Sequence, residues 1–300
     1  MLVDLKYHLT SLIAVFLALA VGIMIGSSFM AGSSLERRIA KGLEKEFSKL
    51  RAENMKQQSS LQSMQTILER HNNFEATIVP MLIEKRLVPY KVAIIQTGDY
   101  NGAVQHAKTA IETAGGRVIN VTSLSDLYGE NTIDRLSGIV TSITGNPAEP
   151  RPADRILQMI VDCIISGSDS ETMEMLESKG AIKIEGDYTQ KGSRIVLVGG
   201  SKKANDTRAD DIDLLLINKL LKKEIYSIVG TEPLNVATSY MSAYQSQGIP
   251  TIDNVDEPMG QVALIFALDG DKGNFGVKRS ADRASPTYLE ESHWRNEYRR

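Results

Sequence analysis

A single cysteine, Cys163, excludes an intramolecular disulfide framework and any cysteine-based metal cluster. It is compatible with either side of a membrane. Charge of one sign is also lacking: 34 Lys and Arg stand against 37 Asp and Glu, a net of -3, which excludes a basic nucleic-acid footprint over the whole chain. Histidine is scarce, at four. The motifs G-x-G-x-x-G, G-x-x-x-x-G-K-[ST] and G-x-S-x-G do not occur, so the common dinucleotide, P-loop and hydrolase signatures are missing. His106 is the one histidine between the first strand candidate and His293, too sparse for a Ser-His-Asp triad around Ser193, Ser201 or Lys202. No catalytic residue, cofactor-binding residue or resident metal ligand is assigned, and the chain is read as a non-enzyme. At 42% hydrophobic and 24% charged residues, it is neither a polytopic transporter nor a disordered tail.

Long hydrophobic runs are lacking except for one. Residues 9–30 carry no charge over twenty-two positions, enough for a helix to cross a hydrocarbon core. A cleaved secretory signal is the alternative. The run exceeds a signal core of about 7 to 15 residues, and no A-x-A pattern follows it. A single-pass anchor in the cell membrane is therefore expected. Lys6 favours a cytoplasmic N-terminus, whereas Arg37, Arg38, Lys41 and Lys45 oppose it. Gly22 and Gly26 form a small-xxx-small pair on one helix face, suited to close approach of two anchors.

Residues 36–56 hold 11 charged side chains in 21 positions, the composition of a solvated helix. Steps of four and three place Leu43, Phe47 and Leu50, then the polar pair Asn54 and Gln57, then Leu61, Met64 and Leu68 on one seam. His71, Glu75, Ile78 and Leu82 continue it. The polar positions cost stability and suit a register-setting role. Two uses remain open: self-association as a homodimer, or packing of the stripe against the chain's own globular domain.

Beyond Pro80 and Pro89 the pattern changes. Strands are expected at 91–97, 118–124, 194–198 and 225–229, with helices through about 114 and over 153–166, 170–178, 210–223, 239–248 and 259–268. A short edge-like strand is expected at Thr251 and Ile252, and Lys183, Glu185 and Asp187 read as solvated loop charges. The fold class is thus α/β: a transmembrane helix and coiled-coil region, then a three-layer Rossmann-like or flavodoxin-like domain with a mostly parallel sheet. The domain reading is 1–8 as a short leading segment, 9–30 anchor, 31–88 helical region, 89–288 α/β domain and 289–300 charged tail.

Strand ends gather Asp99 and Asn101 after the first strand with Asp253 and Asn254 before the last core helix, a candidate recognition surface at the carboxyl edge. The plainer reading is that these residues fasten turns. Asp206, Asp210, Asp211 and Asp213 are expected to cap a helix start rather than hold a cation. Cys163 sits in an apolar helix and reads as buried core.

The stretch PTIDNVDEPMGQ at 250–261, taken with His8, Ser11, Leu12 and AVFLALAVGIMIGS at 14–27, resembles the actinobacterial MctB family of copper transport proteins. The likeness spans nearly the whole chain, including the glycine-containing loop at 270–276 that follows Asp253, Asn254, Gly260 and Gln261. The resemblance implies an anchored envelope protein with an exported C-terminal domain. It also implies one of two roles: a relay acting with a membrane regulator or peptidoglycan hydrolase in cell separation, or a copper-handling component. No Met-x-x-Met array accompanies the second role: Met173 and Met175 are two apart. A small-molecule hydrolase or redox enzyme is the least favoured reading.

Overall fold

The computed structural model describes residues 5–124, 127, 132–145 and 151–286. The expected tail at 289–300, the first four residues and residues 146–150 lie outside the described residues. The chain divides into two compact units, 1–72 and 73–300. Helix α1, Leu5–Ile83, supplies all of the first unit's described structure. It passes Pro80, where the ring deprives the helix of one backbone donor without ending it.

In the second unit the elements run β1 Lys91–Gln96, α2 Asn101–Thr113, β2 Arg117–Ser123, α3 Thr132–Thr144, α4 Pro152–Ser166, α5 Ser170–Ser178, β3 Lys183–Gly186 and β4 Arg194–Val198. A π-helical turn, Ala209–Asp213, then leads into α6 Leu214–Leu221, β5 Ser227–Thr231, α7 Met241–Ser246, β6 Thr251–Ile252, α8 Pro258–Asp269 and β7 Asn274–Phe275. The sheet has seven strands in the order β3-β2-β1-β4-β5-β6-β7, all parallel to their neighbours except β3. That order reverses between β1 and β4; the six parallel strands alone follow a flavodoxin-like 2-1-3-4-5-6 order, and antiparallel β3 adds an edge beside β2.

Two expectations need correction. Lys183 and Glu185 lie in β3, not in a loop. The strand is antiparallel because no helix separates it from β4: residues 187–193 must return beneath β2 and β1, a distance of about 14 Å at about 4.8 Å per strand. The Asp187 carbonyl accepts from Asn120 Nδ2 at 3.3 Å, and Ser193 N donates to Lys91 O at 3.1 Å along that path. Thr251 and Ile252 are not an edge, because β7 pairs on their outer side at Asn274 and Phe275. Both missed strands are short, at four and two residues, so no apolar alternation announces them.

The core lies on both faces of the sheet. Val92, Ile94, Val196 and Val198 point to one side, where Ile83, α2 and α8 cover them; Ala93, Ile95, Ile195 and Leu197 point to the other, under α3 to α7. β1 and β4 both carry continuous apolar runs, since successive side chains serve two buried faces in turn. The last turns of α1 join this core through Val79, Leu82 and Ile83. At the amino edge of β4, buried Arg194 donates through Nε to Leu268 O at 2.8 Å and lies between the rings of Tyr90 and Tyr226, 3.2 and 4.1 Å from their centroids. The guanidinium thereby serves the carboxyl end of α8, where the helix dipole favours a cation.

Candidate functional site at the carboxyl edge of the sheet

The reversal between β1 and β4 is where doubly wound sheets open a ligand crevice. Here the crevice is drawn shut by backbone bonds. Thr97 N and Gly98 N both donate to Val198 O, at 2.9 and 3.0 Å, and Asp99 N donates to Gly200 O at 3.0 Å. The closeness requires glycine: a Cβ on Gly98 would stand 2.3 Å from Gly200 O and 2.4 Å from Gly199 C. Three amide donors of the segment that follows β1 are thus already engaged.

Above that seam sits a charged network. Arg208 forks onto Asp99, with Nη1 to Oδ1 at 2.8 Å and Nη2 to Oδ2 at 2.5 Å, and its Nε reaches Asp206 Oδ2 at 2.6 Å. Ser201 Oγ and Lys202 N also donate to Asp99, at 3.0 and 3.1 Å. The bonds from Arg208 hold the Asp99 carboxyl at about 2, against its ordinary 3.8, overcoming the opposing effect of burial. Burial alone would raise Asp206, but donation from Arg208 takes it below the usual carboxylate range. The fork is bidentate on Asp99 and singly bonded to Asp206, so one cation is shared by two carboxylates.

Beneath it, the π-helical turn aims the buried Asp213 carboxylate at two hydroxyls. Thr97 Oγ1 donates to Asp213 Oδ2 at 2.6 Å, Tyr244 OH donates to the same oxygen, and the two hydroxyls are 2.9 Å apart. The expectation that the four aspartates cap a helix start holds for Asp206, whose Oδ1 accepts from Arg208 N at 3.0 Å just ahead of the π-helical turn, and is corrected for Asp213, which precedes α6 without a side-chain cap bond, and for Asp211, which accepts from Thr207 Oγ1 at 2.8 Å. The reason is tertiary, since Thr97, Tyr244 and Asp99 arrive from distant segments with stronger donors or charges than a helix end presents.

A second cluster lies at the ends of β5, β6 and β7. Glu232 is fully buried and accepts from Ser239 Oγ at 2.6 Å, Tyr240 N at 2.9 Å and Lys278 Nζ at 2.7 Å. Asp253 accepts from the backbone N–H of Val277 and of Lys278, each at 2.9 Å, and so anchors the loop that delivers Lys278 to Glu232. Asn254 is buried, and its Nδ2 donates to Glu257 Oε2 at 3.3 Å.

The four predicted surface residues thus share one sheet edge but not one site. Asp99 belongs to the Arg208 network, Asn101 accepts from Gln96 Nε2 at 2.8 Å, and Asp253 and Asn254 fasten the far end. Asp253 and Asn254 are each 2% exposed, so they are parts of the edge's framework more than of its outer face. Arg208, Glu232 and Lys278 escaped the sequence reading. Glu232 was the most findable, because it directly follows the strand-ending Gly230 and Thr231; Arg208 stood among four aspartates with no local sign of which one it would bind.

An open depression of 350 Å³ adjoins Asn101, lined also by Gln96, Gln105, Ser123 and Lys183. A larger one, 520 Å³, lies against α3, α4 and α5 and is lined by Met159, Cys163 and Asp162. Cys163 is 2% exposed within the core, as expected, and burial pushes its thiol up to about 12, with Asp169 and Asp162 adding to the rise. Such a thiol is protonated at neutral pH and a poor metal ligand in that form. Among the described residues no three His, Cys, Asp or Glu side chains converge as a metal centre.

In the first unit, Lys6–Ser28 is long and apolar enough to cross a membrane, and its described side chains are exposed. The predicted seam is exposed as well: Leu43, Phe47, Leu50, Leu61, Met64 and Leu68 range from 54% to 63%. A Cβ built on Gly22 or Gly26 meets nothing within 4 Å, so that face of the helix is open.

The chain is similar over 312 aligned residues to proteins named copper transporter MctB in Mycobacterium bovis and Mycobacterium tuberculosis. Identity is 23% in each case, covering 93% of this chain and 98% of each relative. A family model described as "Copper transport outer membrane protein, MctB" matches residues 2–286, which takes in the apolar span, the exposed seam and the doubly wound sheet together. On that match the chain belongs to the MctB family.

Proposed function

We propose that this chain is a membrane-anchored protein of the cell envelope with a copper-handling role. The observation that carries the reading is the family match from residue 2 to residue 286, which includes the anchor as well as the α/β unit. In this proposal residues 6–28 span the membrane once, the N-terminus is cytoplasmic and the α/β unit is exported. Two copies associate through the exposed seam of α1. One helix encloses no conducting path, because its backbone is satisfied within itself and no lumen exists. Copper therefore enters as cargo held or passed between chains rather than through a pore formed by one chain. No catalytic residue is assigned, since the charged groups at the sheet's carboxyl edge are committed to one another.

A second reading is an envelope relay that binds a membrane regulator or a peptidoglycan hydrolase and controls cell separation. Two features favour it: the row of exposed apolar side chains on an otherwise charged helix, and a carboxyl edge closed upon its own ion pairs. Both suit contact with other proteins better than capture of a small ligand.

The test is a titration of the full-length protein in nanodiscs with Cu(I) against a chromogenic chelator, run beside crosslinking in native membranes with and without copper. Stoichiometric copper retention supports copper handling. Absence of retention, with a wall hydrolase or membrane regulator captured regardless of copper, overturns it in favour of the relay.

A further inference from the structure

The exposed seam of α1 has a direction and a register that its charges can decide. Counting sevens puts Leu43, Leu50 and Met64 at d positions and Phe47, Leu61 and Leu68 at a positions, with Asn54 at a and Gln57 at d between them. All six apolar members are more than half exposed in the single chain. Burial of a leucine-sized side chain is worth about 1.5–3 kcal/mol, so a partner helix that covers them is strongly favoured.

Apolar layers alone do not choose the partner's direction. An antiparallel pairing that sets Asn54 against Gln57 of the other helix also matches Leu50 with Leu61, Phe47 with Met64 and Leu43 with Leu68. The flanking positions differ. In a parallel, in-register pair Glu46 at g faces Arg51 of the second copy at e, and the symmetry makes this contact twice. In the antiparallel pairing Glu46 faces Ile67 and Arg51 faces Gln58, so neither meets an opposite charge across the interface. Asn54 adds a second constraint, because an asparagine at a meets its own copy only when the helices are parallel and in register.

Continuity with the apolar span points the same way. Extended by whole heptads along the unbroken helix, the count places Gly22 at d and Gly26 at a, where a second helix meets no side chain. Two such spans entering one bilayer in the same sense are necessarily parallel.

We propose that α1 pairs with α1 of a second copy of this chain as a parallel, in-register two-stranded coiled coil, with register set by Asn54 and by the Glu46–Arg51 contacts. This rests on the self-association included in the proposed function and adds its geometry. The pair presents the two apolar spans side by side.

The experiment uses the full-length chain in nanodiscs, with Cys163→Ala and single cysteines at Leu50→Cys, Met64→Cys and the outward-facing Ser59→Cys, oxidised with diamide. Disulfide dimers form at 50 and 64 at least about tenfold faster than at 59, because facing d positions meet the Cα separation a disulfide requires. In the antiparallel pairing the two copies of residue 50 lie about 16 Å apart along the axis. Crosslinking that instead needs Leu50→Cys mixed with Leu61→Cys overturns the parallel register while retaining self-association. A monomer in sedimentation of the otherwise native chain overturns self-association itself. A second series keeps the native cysteine: Glu46→Arg weakens the dimer about fivefold, and Glu46→Arg with Arg51→Glu restores it. Failure of the double swap to recover affinity overturns the charge assignment.

Discussion

Helix α8 and the 6–28 stretch of α1 are both apolar, and their surroundings are opposite. In α8, residues 262–268 are at most 4% exposed, held between the sheet and α2. In α1, Leu12, Phe16 and Leu17 are 57–62% exposed. The difference is one of length and punctuation. At 12 residues α8 is about 18 Å long, too short for a hydrocarbon core of about 30 Å, and it starts at Pro258 and stops at left-handed Gly270. The α1 stretch has no such stops, so its apolar surface is left for a lipid phase. Apolarity says only that water is avoided; the position of stops says what replaces it.

The comparison can be broken most severely at α8. Gly260 lies so close to Asn254 that a Cβ would stand 2.0 Å from the Asn254 carbonyl oxygen, a backbone atom unable to swing aside. Gly260→Ala is expected to lower the unfolding free energy by about 3 kcal/mol or more, read by urea denaturation of the full-length protein. A loss under about 1 kcal/mol would show that α8 shifts freely. Next in size is Arg208→Ala, which leaves Asp99 and Asp206 facing each other without their cation. A loss of about 2–3 kcal/mol is expected in the same assay.

The pH dependence sharpens the same point. The folded-state value of Asp99, about 2, lies below its ordinary 3.8. Its contribution to stability is therefore fully present above about pH 4 and is lost as the pH falls toward 2. Denaturation midpoints at pH 5 and pH 3 should differ more for the native chain than for Asp99→Asn; equal differences would remove Asp99 from the network's electrostatics. Smaller again is Lys108→Ala, which breaks the 2.8 Å pair with Glu185 on β3. That pair is solvated, and a change under about 1 kcal/mol is expected. At the far end, Leu50→Asn should leave thermal unfolding of the α/β unit unmoved. A shift there would mean that the α1 seam supports the globular unit, in contrast to α8.

Much of this division was readable in the residues. The strand at 194–198 and the helix at 170–178 have the expected ends, because a continuous apolar run and helical spacing are local signals. The seam of α1 was readable for the same reason: its spacing needs no knowledge of anything beyond the helix. β3 and β7 were not readable, since their pairing partners lie tens of residues away and their own sequences are mixed or tiny. The carboxyl edge was half readable. Strand-ending Asp99 and Asp253 were singled out, yet their partners Arg208 and Lys278 came from loops 109 and 25 residues away. No spacing rule links such pairs.

What the residues determined unaided is therefore what short-range physics controls: one apolar span of membrane length, a periodic stripe on a charged helix, and alternating βα segments with glycine stops. What only the tertiary structure decided is which polar groups meet. The sheet order brings β1 beside β4, and that adjacency closes the crevice over Gly98, commits Arg208 to Asp99 and Asp206, and turns Asp213 inward. Hydrophobic periodicity is a property of neighbours along the chain, whereas a charge finds its partner only after the chain has been folded.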